Sequence, residues 1–262
     1  MRVGVISGSG GYTWPGLQDA VSRTMQTRHG EADVTVGTVA GVEVVHLARH
    51  GTGHARLSNH VDHKANIAAL RETGVDCVIS LTVCGAVDPA VEPGSLIVFD
   101  DLYFPGNRLP DGSTCTWFDE PAAKDRGHWI FDRPFSAPVG EALISAAGAA
   151  GTPLRDRGCY GHVDGPRFNT RTEIAALAGV GVSAVSQTAG PEVVLAGEAE
   201  LPLALVGFVT DYANGVVEHP EPIDALVARM AASAGIFADL LEAALPKLAD
   251  LTPAGLIYRF TS

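Results

Sequence analysis

The sequence predicts an α/β fold with a mostly parallel sheet, and three observations support this prediction. Short apolar runs recur along the chain, and segments with apolar residues at helical spacing separate several of them. Apolar residues make up 46% of the 262 positions and the mean hydropathy is +0.17, which is enough for a substantial core. Neither an internal repeat nor a low-complexity linker interrupts the pattern, so we expect one domain over residues 1–262.

Six apolar runs are predicted to be strands of this sheet. Each run is short and contains mainly valine, isoleucine, leucine or alanine, as is typical of strands that are buried on both faces. The predicted strands occupy residues 2–7, 43–48, 75–83, 95–100, 181–186 and 203–209.

Two of the intervening segments carry signals for the start of a helix. Residues 58–73 open with Ser58, a candidate cap, and end before a glycine. Thr170 and Glu173 have the spacing of a capping box, which predicts a helix over residues 171–178. Both segments lie between predicted strands, where helices that cover a sheet are expected.

Two further helices are predicted in the C-terminal part of the chain. Pro191 suits the first position of a helix over residues 191–200, because proline lacks an N–H group that this position leaves unpaired. Between Ile223 and Leu241, apolar residues recur at helical spacing, which predicts a long amphipathic helix.

The loops after the predicted strands are rich in glycine, hydroxyl groups and cationic side chains. In parallel sheets, ligands bind beyond the carboxyl ends of the strands, so we expect these loops to meet. Glycines let backbone N–H groups approach an anion, and the planar guanidinium of Arg49 matches phosphate oxygens. The pattern predicts an anion site, formed as a local positive pocket. The loops are 7-SGSGG-11, 49-RHGTGH-54, 82-TVCGA-86, 164-DGPRFNT-170, 186-SQTAGPE-192 and 210-TDYANG-215.

The composition argues against several classes of protein. The 18 cationic and 30 acidic residues leave a net charge of −12, which disfavours nucleic-acid binding because that binding requires neutralisation of phosphates. The longest apolar run, residues 201–209, is too short to span a bilayer, and residues 1–10 do not have the pattern of a signal peptide. The four cysteines form no CxxC pair, so neither a disulfide framework nor a cysteine zinc site is indicated. We therefore expect a soluble cytoplasmic protein.

Six segments, in order along nearly the whole chain, carry a family resemblance. They are 6-ISGSG-10, 48-ARHGTGH-54, 61-VDHKANIAALRETGVDCVISLTVCGAV-87, 165-GPRFNTRTE-173, 188-TAGPEVVLAGEAE-200 and 209-VTDY-212. Together they resemble the trimeric purine nucleoside phosphorylases, and most of all the 5'-methylthioadenosine phosphorylase branch. The resemblance implies a single α/β domain with a central mixed, partly barrel-like sheet flanked by helices. It also implies a homotrimer that cleaves the N-glycosidic bond of a small nucleoside with inorganic phosphate and uses neither a metal nor an organic cofactor.

The resemblance assigns roles to residues at matching positions. The phosphate pocket would comprise Ser9, Arg49, His50, Thr82 and Thr188. The nucleoside would contact Phe168, Asn169, Gln187, Asp211 and Ile223, together with His128 from a neighbouring subunit. Asp211 and His50 are the expected catalytic residues, since Asp211 would stabilise the departing purine and His50 would help to hold the attacking phosphate.

Several of these positions depart from the family pattern. Gln187 stands where the family usually has a methionine beneath the ribose, and its amide is able to bond a sugar hydroxyl. Asn169 stands where 6-oxopurine enzymes carry a glutamate and the methylthioadenosine branch a serine. Ala213 replaces a second aspartate of the base site, whereas Asp211 is retained and favours a 6-aminopurine. Ile223 stands where enzymes for ordinary nucleosides often place a histidine, so we expect an apolar 5' substituent.

Other functions stay open at this point. A 6-oxopurine or a specialised nucleoside is an alternative substrate within the same reaction. RHG after a strand is also the signature of histidine phosphatases, although it normally follows the first strand of the chain. A protein that binds nucleosides without turnover is the non-enzymatic alternative. A metal-dependent hydrolase is suggested by the crowding of His46, His50, His54, His60 and His63.

Overall fold

The computed structural model describes residues 1–9, 11, 14 and 16–260. The strands are β1 Arg2–Ser7, β2 Gln18–Thr27, β3 Gly30–Val39, β4 Val42–Ala48, β5 Cys77–Ala86, β6 Leu96–Val98, β7 Asp101–Tyr103, β8 Gly127–Ile130, β9 Leu154–Arg155, β10 Cys159–His162, β11 Val182–Ser186, β12 Leu203–Tyr212 and β13 Leu256–Arg259. The helices are α1 His63–Glu72, α2 Ala137–Ala150, α3 Arg171–Gly179, α4 Ala189–Glu198 and α5 Ile223–Ala244. Short 3-10 turns span Thr52–His54, Ser58–His60 and Leu245–Lys247.

Strand β5 is the centre of a large mixed sheet. It pairs in parallel with β1 and β12, and its last residues pair antiparallel with β11. The sheet continues from β1 through β4 and β3 to β2, and from β11 through β10 to β7. On another branch, β12 pairs with β6, and β6 with β9. Parallel and antiparallel pairings thus meet at β5, which gives the mixed sheet flanked by helices that the resemblance implied.

Helices cover the sheet in two pairs, and each pair buries its own core cluster. Helices α1 and α4 pack together and bury Ile67 and Val193, whereas α2 and α5 pack together and bury Leu143 and Leu240. Strand β5 lies between the two clusters and is buried along almost its whole length. This burial on both faces explains why the central strands are continuous apolar runs in the sequence.

The predicted start of α1 is wrong. The helix begins at His63, where the side chain of Asp62 accepts a hydrogen bond of 3.1 Å from the Ala65 N–H group. Ser58 instead opens a separate 3-10 turn, and Val61 then returns to extended backbone. The carboxylate of Asp62 is the stronger cap because it accepts a charge-assisted bond.

The predicted start of α4 is also wrong, because the helix begins at Ala189 and Pro191 is its third residue. A proline is tolerated here since N–H groups in the first turn have no intrahelical partner. The capping box of α3 is confirmed: Thr170 accepts from the Glu173 N–H group, and the Glu173 carboxylate accepts from the Thr170 N–H group.

Seven of the thirteen described strands had no counterpart in the sequence predictions: β2, β3, β7, β8, β9, β10 and β13. Strand β2 pairs with β3 as an edge hairpin, and its side chains are exposed at nearly every position. Strand β13 pairs with β8 in a separate two-stranded sheet. Among the described residues, no helix combines the length and apolar composition that a membrane span requires.

Candidate functional site

A cavity of about 290 Å³ opens at the carboxyl ends of the central strands. Loops that follow β1, β4, β10, β11 and β12 contribute to its wall, as does the N-terminal half of α5. Residues 82–86, predicted as a loop, are the end of β5, and that strand lines the wall directly. Nine residues singled out from the sequence line this cavity: Ser9, Arg49, His50, Thr82, Phe168, Asn169, Gln187, Thr188 and Asp211. Of the glycine loop 7–11, Gly10 lies outside the described residues.

Arg49 is the most buried of these residues, with 1% of its surface exposed. Its Nε and Nη2 donate to the two carboxylate oxygens of Glu192, the second at 2.8 Å. Nη2 also donates to the Ser80 hydroxyl at 2.8 Å, and Nη1 donates to the Leu81 carbonyl at 3.0 Å. Within the described part of the chain, four of the five guanidinium N–H groups are thus engaged by protein. The remaining N–H group belongs to Nη1, which lies beside Gly8, where a β-carbon would be 2.8 Å away.

The charges of Arg49 and Glu192 cancel each other. Burial by itself would destabilise both ions, but their contact outweighs it, raising the pKa of Arg49 and lowering the pKa of Glu192. Both side chains therefore stay ionised, and the pair has no net charge. Glu192 was not among the predicted site residues. The signal for it was an acidic residue at the start of the apolar run 193-VVLA-196, within the quoted segment 188-TAGPEVVLAGEAE-200.

His50 is neutral in this environment. Its Nδ1 lies 2.9 Å from the Arg56 carbonyl oxygen, which can only accept, so Nδ1 carries the proton and Nε2 has the lone pair. Burial and the neighbouring Arg49 charge lower the pKa of His50 to about 4. Its ring stacks on that of His54 with centroids 4.4 Å apart. The expectation of a positive pocket is therefore wrong, because the guanidinium is neutralised and the imidazole is uncharged.

Hydroxyl groups complete this end of the cavity. Thr82 Oγ1 lies 2.8 Å from the Ser186 Oγ, and both residues line the wall. Thr188 precedes α4, but the first two N–H groups of that helix donate to protein partners, the Tyr160 hydroxyl and the His162 ring. An anion at this end would thus meet side-chain hydroxyls rather than the start of a helix.

The opposite end carries groups suited to a heterocyclic base. Asp211 is half-buried, accepts a hydrogen bond of 2.8 Å from Thr210, and has its pKa raised by burial. Asn169 donates from Nδ2 to Glu173 at 3.2 Å, which leaves its carbonyl oxygen and its second N–H group for a ligand. The ring of Phe168 lines the cavity and is 68% exposed. Ala213 lines the same wall with a methyl group where the family has a carboxylate.

Comparisons with known proteins agree with this arrangement. Residues 2–246 match the family model described as the phosphorylase superfamily. This chain belongs to the phosphorylase superfamily. It is 35% identical to the 6-oxopurine nucleoside phosphorylase of Pyrococcus furiosus over 85% of both chains. It is 33% identical to the S-methyl-5'-thioadenosine phosphorylase of Geobacter sulfurreducens, covering 86% of this chain and 78% of that protein.

Solved structures show the same relationship. A methylthioadenosine phosphorylase from Schistosoma mansoni in complex with adenine superposes with a TM-score of 0.86 at 26% identity. The match covers 95% of this chain and 93% of that one. The phosphorylase fold, with its mixed sheet and flanking helices, is therefore common to both proteins, and the histidine phosphatase alternative is set aside.

Two residues predicted for the nucleoside site lie outside the cavity of this phosphorylase. Ile223 is the first residue of α5 and is 75% exposed, whereas Leu226 and Met230, one and two turns later, line the wall. The expectation for Ile223 is corrected accordingly: the register of α5 turns its side chain to solvent. His128 lies on β8, in the two-stranded sheet, and does not line the cavity of its own chain.

The crowded histidines have different surroundings. His46 Nε2 lies 2.7 Å from the Ser7 hydroxyl, whereas His63 Nδ1 is buried, lies 3.9 Å from Glu192 and makes no hydrogen bond within the described part of the chain. In the residues that the structure describes, no three histidine, cysteine, aspartate or glutamate side chains are grouped so as to hold a metal ion. The side chains that suggested a metal-dependent hydrolase thus do not converge in the described fold.

Proposed function

We propose that this phosphorylase cleaves the N-glycosidic bond of a purine nucleoside with inorganic phosphate, giving the free base and a ribose 1-phosphate. The observation that supports this most directly is one cavity with Arg49, His50 and Thr82 at one end and Asp211 and Phe168 at the other. Phosphate at the first end would lie beneath the sugar of a nucleoside whose base occupies the second. Positioning two reactants in this way removes much of the entropic barrier.

In this mechanism, phosphate is held mainly by hydrogen bonds. The hydroxyls of Ser9, Thr82 and Thr188 donate to its oxygens. The remaining N–H group of Arg49 is covered by the backbone at Gly8, and it donates to phosphate once that backbone moves aside. His50 presents the lone pair of Nε2, which accepts a hydrogen bond from a protonated phosphate oxygen. Because phosphate itself is the nucleophile, the proposed reaction requires neither a metal ion nor an organic cofactor.

Asp211 stabilises the departing purine. Cleavage builds negative charge on the base, which a proton shared between the Asp211 carboxyl group and N7 would neutralise. Burial raises the pKa of Asp211, which is the direction that this role requires. The other carboxyl oxygen can accept from a 6-amino group. We therefore propose a 6-aminopurine substrate. The runner-up is a 6-oxopurine, which the similarity to the Pyrococcus furiosus enzyme and the methyl group of Ala213 favour.

The 5' group of the substrate is proposed to be apolar. Leu57, Leu226 and Met230 line the cavity with hydrocarbon or thioether side chains. A 5'-hydroxyl would meet few polar partners there, whereas a methylthio group would gain apolar contact. 5'-Methylthioadenosine has both proposed features, a 6-aminopurine base and an apolar 5' group.

We further propose that the active protein is a homotrimer in which His128 reaches a neighbouring cavity. Around His128, the outer face of the β8–β13 sheet exposes Ile130 (54%), Leu256 (58%) and Tyr258 (53%). Adjacent exposed apolar side chains of this kind favour burial against another subunit. The four cysteines are free thiols, which agrees with the proposed role in cytoplasmic purine salvage.

The test uses chromatography to measure the release of free base from four nucleosides: 5'-methylthioadenosine, adenosine, inosine and 5'-methylthioinosine. We expect release only with phosphate, and fastest from 5'-methylthioadenosine. Equal release without phosphate would identify a hydrolase, and base binding without any turnover would identify a binding protein. If release were fastest from inosine or 5'-methylthioinosine, the preferred substrate would be a 6-oxopurine nucleoside instead of a 6-aminopurine nucleoside. Light scattering of the purified protein measures the size of the oligomer, and a monomer at assay concentrations would contradict the trimer.

A further inference from the structure

We infer that Gln187 is a positioning residue whose side-chain amide ties the turn that begins at Ser58 to the loop that carries Phe168. The inference deepens the proposed function, because it concerns how the same cavity holds the base. The sequence suggested a different role, a direct hydrogen bond to a sugar hydroxyl.

Both ends of the Gln187 amide already have protein partners. Its Oε1 accepts a hydrogen bond of 2.9 Å from the hydroxyl of Ser58, which is buried. Its Nε2 donates at 3.0 Å to the backbone carbonyl oxygen of Arg167. A backbone carbonyl can only accept, so the orientation of the amide is determined by this pair of contacts.

The two partners belong to different loops. Ser58 opens the 3-10 turn that follows the loop carrying Arg49 and His50. Arg167 immediately precedes Phe168, whose ring lines the cavity where the base is proposed to lie. Gln187 is the first residue after β11, so a strand of the central sheet holds both loops at once.

The loop that contains Arg167 also packs against this contact through Gly165. A β-carbon at Gly165 would overlap with Oε1 of Gln187 and with Oγ of Ser58. The backbone therefore passes directly against the hydrogen-bonded pair, which excludes a side chain there. Two loops thus meet at one amide, which contributes to the position of the loop that carries Phe168.

This arrangement affects the base more than the phosphate. Arg49 is held by Glu192, and Thr82 contacts Ser186, without participation of the Gln187 amide. Loss of the amide should therefore weaken binding of the nucleoside and of the free base while leaving phosphate binding unchanged.

The experiment compares Gln187→Met with the wild-type protein and with Gln18→Met, a control on the exposed strand β2. Methionine has nearly the length of glutamine but makes neither hydrogen bond. We expect KM for the nucleoside and Kd for adenine to rise about 3- to 10-fold in Gln187→Met, with KM for phosphate within about twofold of wild type. Ser58→Ala removes one of the two bonds and should give a smaller rise, about 2- to 4-fold.

A second comparison separates positioning from a direct sugar contact. Wild type and Gln187→Met are each assayed with a nucleoside and its 2'-deoxy and 3'-deoxy counterparts. If Gln187 positions the loops, the ratios of kcat/KM between these substrates stay the same in the variant. Ratios that collapse towards one in Gln187→Met would mean that the amide bonds a ribose hydroxyl, which overturns the inference. Unchanged adenine affinity in the variant would overturn it as well.

Thermal unfolding of each variant confirms that the comparison is made on folded protein. If wild type released no base from any nucleoside, the proposed function would fail. The adenine titration would still test Gln187, because it needs no turnover. The two outcomes are therefore distinguishable.

Discussion

Replacing Glu192 by glutamine removes the counter-charge of a buried guanidinium while keeping the shape of the side chain. Both Arg49 and Glu192 are inaccessible to solvent, and the carboxylate accepts from two guanidinium nitrogens and from Ser80. Removing one member of such a pair leaves an uncompensated buried charge, which costs about 3–5 kcal/mol. For a protein of this size, each kcal/mol corresponds to about 2–4 °C in Tm, so Glu192→Gln should lower Tm by about 6–20 °C.

The same substitution should make stability more dependent on phosphate. Arg49 then carries a free positive charge at the proposed phosphate site, and a bound anion compensates it. Thermal unfolding measured at increasing phosphate concentration should show a larger rise of Tm in Glu192→Gln than in wild type. The double variant Arg49→Met with Glu192→Gln removes both charges. It should recover much of the lost stability and lose most of the phosphate effect.

Glu198→Gln is the matched control on the same helix. The Glu198 carboxylate accepts from the Thr116 hydroxyl and the Trp117 N–H group, and burial raises its pKa. A neutral amide should replace it at a cost of about 1 kcal/mol, without a change in the phosphate response. The account of Arg49 and Glu192 would be refuted if Glu192→Gln were no less stable than Glu198→Gln, or if phosphate raised Tm equally in all variants.

Three further predictions concern pH, the base and the 5' group. Burial lowers the pKa of four histidines from 6.5: His46, His50, His63 and His162. The unfolded chain therefore binds more protons than the folded chain as pH falls from about 6.5 to about 4, and the free energy of unfolding, measured with urea, should fall across this window. A free energy of unfolding that does not change with pH there would contradict this prediction. Asp211→Asn should raise kcat/KM for 5'-methylthioinosine, a 6-oxopurine nucleoside, relative to kcat/KM for 5'-methylthioadenosine by about 10-fold or more. An unchanged ratio of these two values would mean that Asp211 does not contact the base. Leu226→Ser should raise KM for 5'-methylthioadenosine about 5-fold relative to KM for adenosine. Ile223→Ser, on the exposed side of α5, should leave both KM values unchanged. Equal effects of the two variants would mean that Leu226 does not contact the 5' group.

The central apolar strands and a helix with a capping signal were predictable, whereas the exposed edge strand β2 was not. The predicted strand over residues 2–7 coincides with β1, and the capping box of α3 forms as its two residues indicate. Strand β2 has almost no buried side chain, so no alternating pattern marks it. Its pairing depends on polar cross-strand contacts such as Ser22 with Thr35, which local sequence does not reveal.

The sequence by itself determined which loops meet at one edge of the sheet, because parallel strands place their carboxyl ends together. From this rule and the family motifs, nine of the eleven proposed site residues are found around one cavity. The roles of these residues stay predictions until the variants are assayed.

The net charge of the site and the partners of its polar side chains depend on the tertiary structure alone. Arg49 is paired with Glu192, 143 positions away in the chain, and Gln187 bonds Ser58, 129 positions away. Which residues become partners depends on how the helices and loops pack against the sheet, and the local spacing of residues in the sequence does not predict it. A buried cation must find a counter-charge and a buried amide must find partners, but which residue satisfies each is settled only when the chain has folded.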